Sequence, residues 1–369
     1  MRHFLSLKHI FCLMTKIKKV VACIAFLLFM VWVPLCVFDK TKVTQNNNQA
    51  GYKGVLNLWH VETFEGGCGS RANFLKKRAI EFESKNKGVL VSVQTYTPEQ
   101  VVQKLNDGAK FDLISYSYGV GCDIVNMLSV YGGKLNVRDD LLQGGKLDGD
   151  ILALPWAFGG YTLCAFDGVL TKTGGVLAVE SVFECGYVKK DKNKTKVPSL
   201  GVGFAQYTNP FQVLAYYGVV SDKDGWTNNL TCTPYQAYQD FVDKKFAILL
   251  GTQRDLSRVL QKQSQGKMTD VTFEFLSGYT DVVQYISYCD NGQNRGEVSQ
   301  QFMEYITSDY SQKKLSSIEM FSPSLSLYND GLHLAMQNAL DKKLVVPHVF
   351  ADKTVLANQK QSAMQKVGI

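Results

Sequence analysis

The sequence predicts an α/β protein built on a doubly wound, mostly parallel sheet. Between residues 55 and 115, three apolar strands alternate with two amphipathic helices, and this order is typical of parallel sheets. The chain has 369 residues, of which 46% are hydrophobic. This is enough core for one large domain or two medium ones.

Capping residues and glycines set the limits of the first elements. Ser70 is a good N-cap, and Thr97 with Gln100 can close a capping box. Gly88 and Gly108 stand where the two helices should end. The predicted elements are a strand from residue 55, a helix over 71–86, a strand over 89–95, a helix over 98–108 and a strand over 111–115.

The second half of the chain is less regular. Pro155 and a Gly pair interrupt the apolar segment 152–163, as expected where a chain crosses between lobes. The mostly basic run over 189–196 is expected to form a solvated surface loop. The further predicted elements are a helix over 234–244, a strand over 246–250, a helix over 299–308 and a helix over 327–340.

The N-terminal head is basic and then apolar. Five Lys and Arg residues and no acid precede residue 39, and residues 20–38 are uncharged and apolar. This pattern is typical of an export signal or of an anchor with its basic end in the cytoplasm. A retained transmembrane helix, a lipid on Cys36 and ordinary cleavage all remain open, although Leu35 departs from the lipoprotein pattern. Each predicts an extracytoplasmic domain, and the first two attach it to the outer face of the cell membrane.

The part beyond the head is close to neutral. Its 35 basic and 33 acidic residues leave a net charge of +2, which argues against a nucleic-acid partner. Six of the nine cysteines lie there, and an even number outside the cytoplasm permits disulfides. No cysteine spacing or His motif indicates a metal site, and no phosphate loop or serine elbow is present, so no cofactor is expected.

The first strand runs into a Gly-rich loop that carries acidic and aromatic residues. Trp59 ends the strand, and Glu62, Phe64 and Glu65 follow before Ser70. In an open α/β sheet, ligands bind beyond the carboxyl ends of the strands. Aromatic faces for stacking and acidic acceptors suit a polyol or sugar, so this loop predicts a binding cleft.

Several candidate residues also have a plain structural explanation. Trp59 either stacks on a ligand or packs in the core, and Trp156 either lines the cleft or braces the hinge. Arg254 either presents its planar donor fork to the cleft or forms a salt bridge. Glu62 and Glu65 form a hydrolase pair only if their carboxyl groups lie about 5 to 9.5 Å apart, and loop glutamates are more often acceptors or solvated.

Four segments together resemble the extracellular solute-binding proteins of ABC importers, the family that includes maltose-binding protein. They are residues 58–71 after the first strand, 154–161, 209–212 and 249–255. The first and last are similar to a subgroup common in Gram-positive bacteria. The similarity extends over about residues 55 to 345, in the expected order.

The resemblance implies a two-lobe, periplasmic-binding-protein-like fold whose sheets are joined by crossing hinge strands. The implied divisions are a signal or anchor segment at 1–38, a polar linker at 39–54, lobe 1 at 55–157 and 280–325, and lobe 2 at 158–279 and 326–369. The implied ligand contacts are Trp59, Glu62, Phe64, Glu65, Trp156, Tyr161, Gln206, Asn209, Gln253 and Arg254. Cys68 and Cys122 depart from the family pattern, and we expect them to form a disulfide beside the cleft mouth.

The implied function is capture of a small solute, most simply a sugar or oligosaccharide, for delivery to a membrane permease. The chain itself would then carry no catalysis. Two alternatives remain open: an anchored ligand-sensing module that acts on a receptor, and an extracytoplasmic carbohydrate hydrolase that uses Glu62 and Glu65.

Overall fold

The folded part of the chain is built on two mixed β-sheets flanked by helices. The structure, a computed structural model, describes residues 51–64, 69–185, 187–190, 193–220, 232–324, 331–340 and 343–369. No helix within these ranges is long and apolar enough to cross a membrane. The predicted N-terminal hydrophobic helix lies outside the described residues.

The elements follow one another in a strand-rich first half and a helix-rich second half. The strands are β1 (Gly54–Val61), β2 (Val89–Tyr96), β3 (Leu113–Tyr116), β4 (Lys146–Leu147), β5 (Asp150–Ile151), β6 (Leu154–Phe158), β7 (Tyr161–Phe166), β8 (Tyr187–Lys190), β9 (Asn193–Lys196), β10 (Leu200–Val202), β11 (Ile248–Thr252), β12 (Val271–Phe275) and β13 (Val283–Tyr288). The α-helices are α1 (Arg71–Lys85), α2 (Pro98–Asn106), α3 (Gly121–Ile124), α4 (Asp139–Gln143), α5 (Pro210–Tyr216), α6 (Pro234–Val242), α7 (Gln253–Ser264), α8 (Arg295–Thr307), α9 (Asp309–Gln312), α10 (Gly331–Leu340) and α11 (Lys353–Val367).

Lobe 1 is built on a five-stranded sheet with the order β2-β1-β3-β13-β6. β1 pairs in parallel with both β2 and β3, as the alternating sequence pattern predicts. β13 is antiparallel to β3 and to β6. β6 carries the chain toward lobe 2 and β13 brings it back, so these two neighbours run in opposite directions.

Lobe 2 is built on a four-stranded sheet with the order β10-β11-β7-β12. Only β10 and β11 are parallel, and β7 is antiparallel to both β11 and β12. The prediction of mostly parallel sheets is therefore wrong, because β13 in lobe 1 and β7 in lobe 2 each run against the neighbouring strands of their sheet. The basic run over 189–196, predicted as a surface loop, lies instead in a separate two-stranded hairpin formed by β8 and β9.

Local signals account for the helix that follows the first strand. The Ser70 hydroxyl accepts a hydrogen bond from the backbone N–H of Asn73, which confirms the predicted N-cap. α1 buries Phe74, Leu75 and Phe82 on one face, in the same core cluster as alternate residues of β1. This packing fixes the position of the loop between β1 and α1 at one edge of lobe 1.

The predicted lobe boundaries near 157, 280 and 325 stay a prediction. The last of them falls at the edge of residues 325–330, which lie outside the described ranges.

Candidate functional site

A pocket lies between the two lobes, at the carboxyl end of β11. Its walls are Phe64, Tyr161, Gly203, Ala205, Thr208, Pro234, Ala237, Leu249, Leu250, Gly251, Thr252, Arg254, Asp255 and Val282. The cavity has an empty volume of about 530 Å³ including its open mouth.

Phe64 forms the lobe 1 wall of the pocket. The Arg71 guanidinium lies 3.6 Å from the centre of its ring, within cation–π distance. Arg71 is fully buried at the start of α1, and its Nη1 donates to Gln284 Oε1 on β13 at 3.0 Å. Arg71, held by its hydrogen bond to Gln284, therefore packs against the Phe64 ring and stabilises this wall.

A buried carboxylate, Asp281, connects the hinge to the cleft. Its Oδ1 accepts a hydrogen bond from the Tyr161 hydroxyl at 2.6 Å. Its Oδ2 accepts bonds from the Tyr279 hydroxyl at 3.1 Å and from the backbone N–H of Asn209. Burial raises the pKa of Asp281, although these three hydrogen bonds oppose the shift. The cluster joins Tyr161 on β7 and Tyr279, in the segment before β13, to the loop that precedes α5.

The first turn of α7 lies at the interface of the lobes. Arg254 Nη2 donates to the backbone carbonyl of Gly69, in the loop after β1, at 2.7 Å. The Gln253 side chain accepts from the Gly160 N–H at 3.0 Å and donates to the Glu319 carbonyl at 2.9 Å. These two predicted site residues, adjacent in the sequence, therefore both donate to backbone carbonyls of lobe 1, Arg254 to Gly69 and Gln253 to Glu319.

Gln206 lies at the rim of the cleft. Its amide Nε2 donates to Glu99 Oε1 on α2 and to the Tyr207 hydroxyl, both at 3.0 Å. The Tyr207 ring packs directly on Gly119, where an added Cβ would come within 2.4 Å of the ring. Lobe 2 therefore rests on lobe 1 at this rim through one hydrogen bond and one close ring contact.

Both candidate tryptophans lie in the core instead of in the cleft. Trp59 is 3% exposed and packs against Tyr96 and Phe111, with ring centres 5.3 Å apart in each case. Trp156 is stacked on Phe74 at 5.6 Å, and its Nε1 donates to Ser115 Oγ at 3.0 Å. Trp59 is thus in the core-packing position offered for it, Trp156 is buried in lobe 1, and neither is among the pocket-lining residues.

The other predicted site residues are distributed between the rim and the hinge. Glu62 is exposed where β1 ends, and Asn209 is buried beside Asp281. Glu65 and Cys68 lie outside the described residues. Cys122 has a free thiol in the structure, so the predicted Cys68–Cys122 disulfide finds no support here and stays a prediction.

The sequence matches no protein-family model, and no curated protein is significantly similar to it. Solved structures do match. The GacH receptor of Streptomyces glaucescens GLA.O gives a TM-score of 0.63 at 14% identity, over 86% of this chain and 94% of that one. The sugar-binding protein MalE from Xanthomonas citri gives 0.60 at 14% identity, over 85% and 92%. The chain has the fold of these binding proteins. Maltose-bound T. maritima MalE3, with a TM-score of 0.58 at 14% identity over 85% and 98%, has it too.

Two acidic residues in or beside the pocket, Asp255 and Asp281, were not predicted from the sequence. Asp281 is an acidic residue between two apolar strands at a predicted lobe crossing, and this position could have marked it as a candidate site residue. Asp255 directly follows the predicted Arg254, three residues after Thr252, at the spacing of a capping box. Both are buried, with exposed fractions of 4% for Asp255 and 1% for Asp281.

The cleft offers hydrogen bonds and apolar contacts, and the described residues give no sign of a metal centre. No group of three or more His, Cys, Asp or Glu side chains in these ranges is arranged to bind a metal ion. The pocket walls are mostly apolar, with a few fixed polar groups, as is typical of small-molecule sites. Binding of a small organic solute is the chemistry that this arrangement supports.

Proposed function

We propose that this chain is the extracytoplasmic substrate-binding component of an ABC importer. It would capture a sugar or oligosaccharide between its lobes and deliver it to a membrane permease. The observation that carries the proposal is the pocket at the lobe interface, mostly apolar with a few fixed polar groups, with Arg254 bonded across it to Gly69. Structures with the same fold are described with acarbose, maltotriose and maltose bound.

Unpaired buried oxygens beside the pocket favour a ligand with several hydroxyl groups. Thr63 Oγ1 and Asn209 Oδ1 are buried and have no hydrogen-bond partner. They directly adjoin the pocket residues Phe64 and Thr208. Leaving such an atom unsatisfied costs about 1 to 3 kcal/mol, and a hydroxyl donor from a ligand offsets that cost. Polyols and sugars supply such donors in number.

Closure of the lobes on the ligand would be a shift between open and closed populations. A ligand that contacts both lobes stabilises the closed state by its differential affinity for the two states. The closed form, attached to the outer face of the cell membrane by the N-terminal segment, would then dock on the permease. No bond-breaking step is assigned to the chain, and the structural neighbours named above are binding proteins.

A thermal-shift screen of the full chain in mild detergent tests the proposal. The panel contains maltose, maltotriose, mannobiose and mannotriose, with dipeptides and organophosphates as competing classes. A ligand at about 100 times its Kd adds roughly 2.7 kcal/mol of stability, so the midpoint rises by several degrees. We expect the shift with a sugar and its loss in Arg254→Ala, whereas Gln103→Ala on the exposed face of α2 retains it.

A shift produced only by peptides or by organophosphates would overturn the assignment of a sugar. Unchanged sugar binding by Arg254→Ala would remove the α7 terminus from the site.

A further inference from the structure

Asp255 lies in the wall of the pocket, and its two carboxylate oxygens have different surroundings. The side chain is in the first turn of α7, and the residue is 4% exposed. Its Oδ2 accepts hydrogen bonds from the backbone N–H and the hydroxyl of Thr252, both at 3.0 Å. Its Oδ1 has no hydrogen bond, and Arg258 Nη1 stands 3.8 Å from it, beyond hydrogen-bond distance.

The other side-chain oxygens that line the pocket already have partners. The Tyr161 hydroxyl donates to Asp281, and the Thr208 hydroxyl bonds to the Ala205 backbone. The Thr252 hydroxyl is bonded to Asp255 itself. Among the pocket-lining side chains that the structure describes, Asp255 Oδ1 is therefore the oxygen without a hydrogen bond, and its charge partner is Arg258 at 3.8 Å.

The surroundings of Asp255 make this oxygen selective. Leu249, Leu250 and Val282 line the same pocket, and a hydrogen bond made away from water depends strongly on a correct partner. The helix-capping bonds to Oδ2 fix the plane of the carboxylate, so Oδ1 cannot turn to another donor. Arg254 and Arg258 flank the carboxylate, which disfavours a cationic ligand group and favours a neutral hydroxyl.

We infer that Asp255 is a specificity-determining residue of the cleft, whose Oδ1 accepts a hydrogen bond from one hydroxyl of the bound sugar while Oδ2 caps α7. This inference rests on the proposed function. A site built to bond one hydroxyl rejects an analogue that lacks it, because the buried acceptor is then left unpaired. The selectivity of the cleft among sugars would therefore depend on the position of that hydroxyl.

Calorimetric titration of the full chain with maltotriose and with mannotriose tests the inference. We expect Asp255→Asn to weaken binding of the sugar that the wild type prefers about 10- to 100-fold, the usual effect of losing a hydrogen bond to a charged group. Asp240→Asn is the matched control, because Asp240 is a buried acid on α6 that bonds to Gln236 and Lys245 and does not line the pocket. It should bind within about twofold of the wild type.

A second measurement separates the ligand contact from a capping defect. Monodeoxyfluoro analogues of the preferred sugar each replace one hydroxyl donor with a fluorine of similar size. We expect one position to cost the wild type at least tenfold in affinity and to cost Asp255→Asn much less, a coupling that a loosened helix would not produce. Circular dichroism verifies that each variant is folded.

The outcomes distinguish this inference from the proposed function. Equal affinity of Asp255→Asn and wild type for the preferred sugar, or no coupled position in the fluorinated series, would overturn the role of Asp255 alone. If the wild type binds neither sugar, the proposed function fails for this panel, and the assignment of Asp255 as a sugar acceptor fails with it.

Discussion

At the scale of single residues, buried polar groups in this protein are organised around shared partners. Ser115 Oγ on β3 is approached by His60 Nδ1 at 3.2 Å, Trp156 Nε1 at 3.0 Å and Gln284 Nε2 at 3.1 Å. These residues come from four neighbouring strands of the lobe 1 sheet. Asp281 likewise accepts hydrogen bonds from three donors at the hinge. Such clusters specify one arrangement of the strands, because each member is satisfied only in that arrangement.

Asp281→Asn should change how stability depends on pH. Burial raises the pKa of Asp281 above its ordinary value of 3.8, so the folded protein retains this proton to higher pH than the unfolded chain does. The contribution of the carboxyl group to stability therefore falls as the pH rises from about 3.8 through its folded pKa. Asn cannot ionise, and the free energy of unfolding of the wild type relative to the variant should decline over this interval.

Urea denaturation of both proteins at several pH values between 4 and 7 measures this difference. A difference that is constant, or that increases with pH, would contradict a raised pKa at the hinge.

At the scale of elements, the starts of the helices are set by local hydrogen bonds that capping residues in the sequence predict. The Thr97 hydroxyl accepts from the Gln100 N–H at 3.3 Å, and the Gln100 side chain accepts from the Thr97 N–H at 2.9 Å. This closes the predicted capping box at the start of α2. The same first turn carries Glu99, which accepts the rim hydrogen bond from Gln206 across the cleft. A local signal therefore positions a contact between lobes.

Thr97→Ala should lower the free energy of unfolding by about 1 kcal/mol, the usual effect of losing an N-cap. The exposed Gln103→Ala in the same helix is the control and should change stability by less than about 0.5 kcal/mol. Chemical denaturation of the three proteins provides the comparison. Equal stability of Thr97→Ala and wild type would show that tertiary packing, not the cap, holds this turn.

At the scale of the whole molecule, several contacts among the described residues join the lobes, and three of them lie at the cleft and its rim. Arg254 bonds to Gly69 within the cleft, Gln206 bonds to Glu99 at the rim, and the Tyr207 ring packs on Gly119. Under the proposed function, separation of the lobes to admit a ligand would break these contacts.

Gly119→Ala should open the lobes. The new Cβ would lie 2.4 Å from the Tyr207 ring, and the backbone at Gly119 has a φ of +82°. Gly108→Ala is the matched control, because Gly108 has a φ of +78° and nothing within 4 Å of the added Cβ. Both variants bear the left-handed backbone strain of about 1 to 2 kcal/mol, but only Gly119→Ala collides across the cleft.

Small-angle neutron scattering in contrast-matched detergent checks the expected increase in radius of gyration for Gly119→Ala. The double variant with Tyr207→Ala should recover the closed dimensions. Identical scattering curves for the Gly119→Ala and Gly108→Ala proteins would rule out this contact as a determinant of closure.

Sequence alone was enough to predict the order of the five elements from β1 to β3, the caps at Ser70 and Thr97, and the position of the loop between β1 and α1. These features depend on neighbours within a few residues, and their physical signals are periodicity and capping chemistry. It also pointed to Phe64, Tyr161 and Arg254, which line the pocket.

Three features could be seen only in the folded chain: the mixed direction of the sheets, the packing of Trp59 and Trp156 in the core, and the burial of Asp255 and Asp281. Each of these depends on which strands become neighbours and which face of a strand is covered. Residues more than a hundred positions apart supply those contacts, as in the bond from Tyr161 to Asp281. The residues next to a position in the sequence do not identify such distant partners, so they become known only from the folded structure.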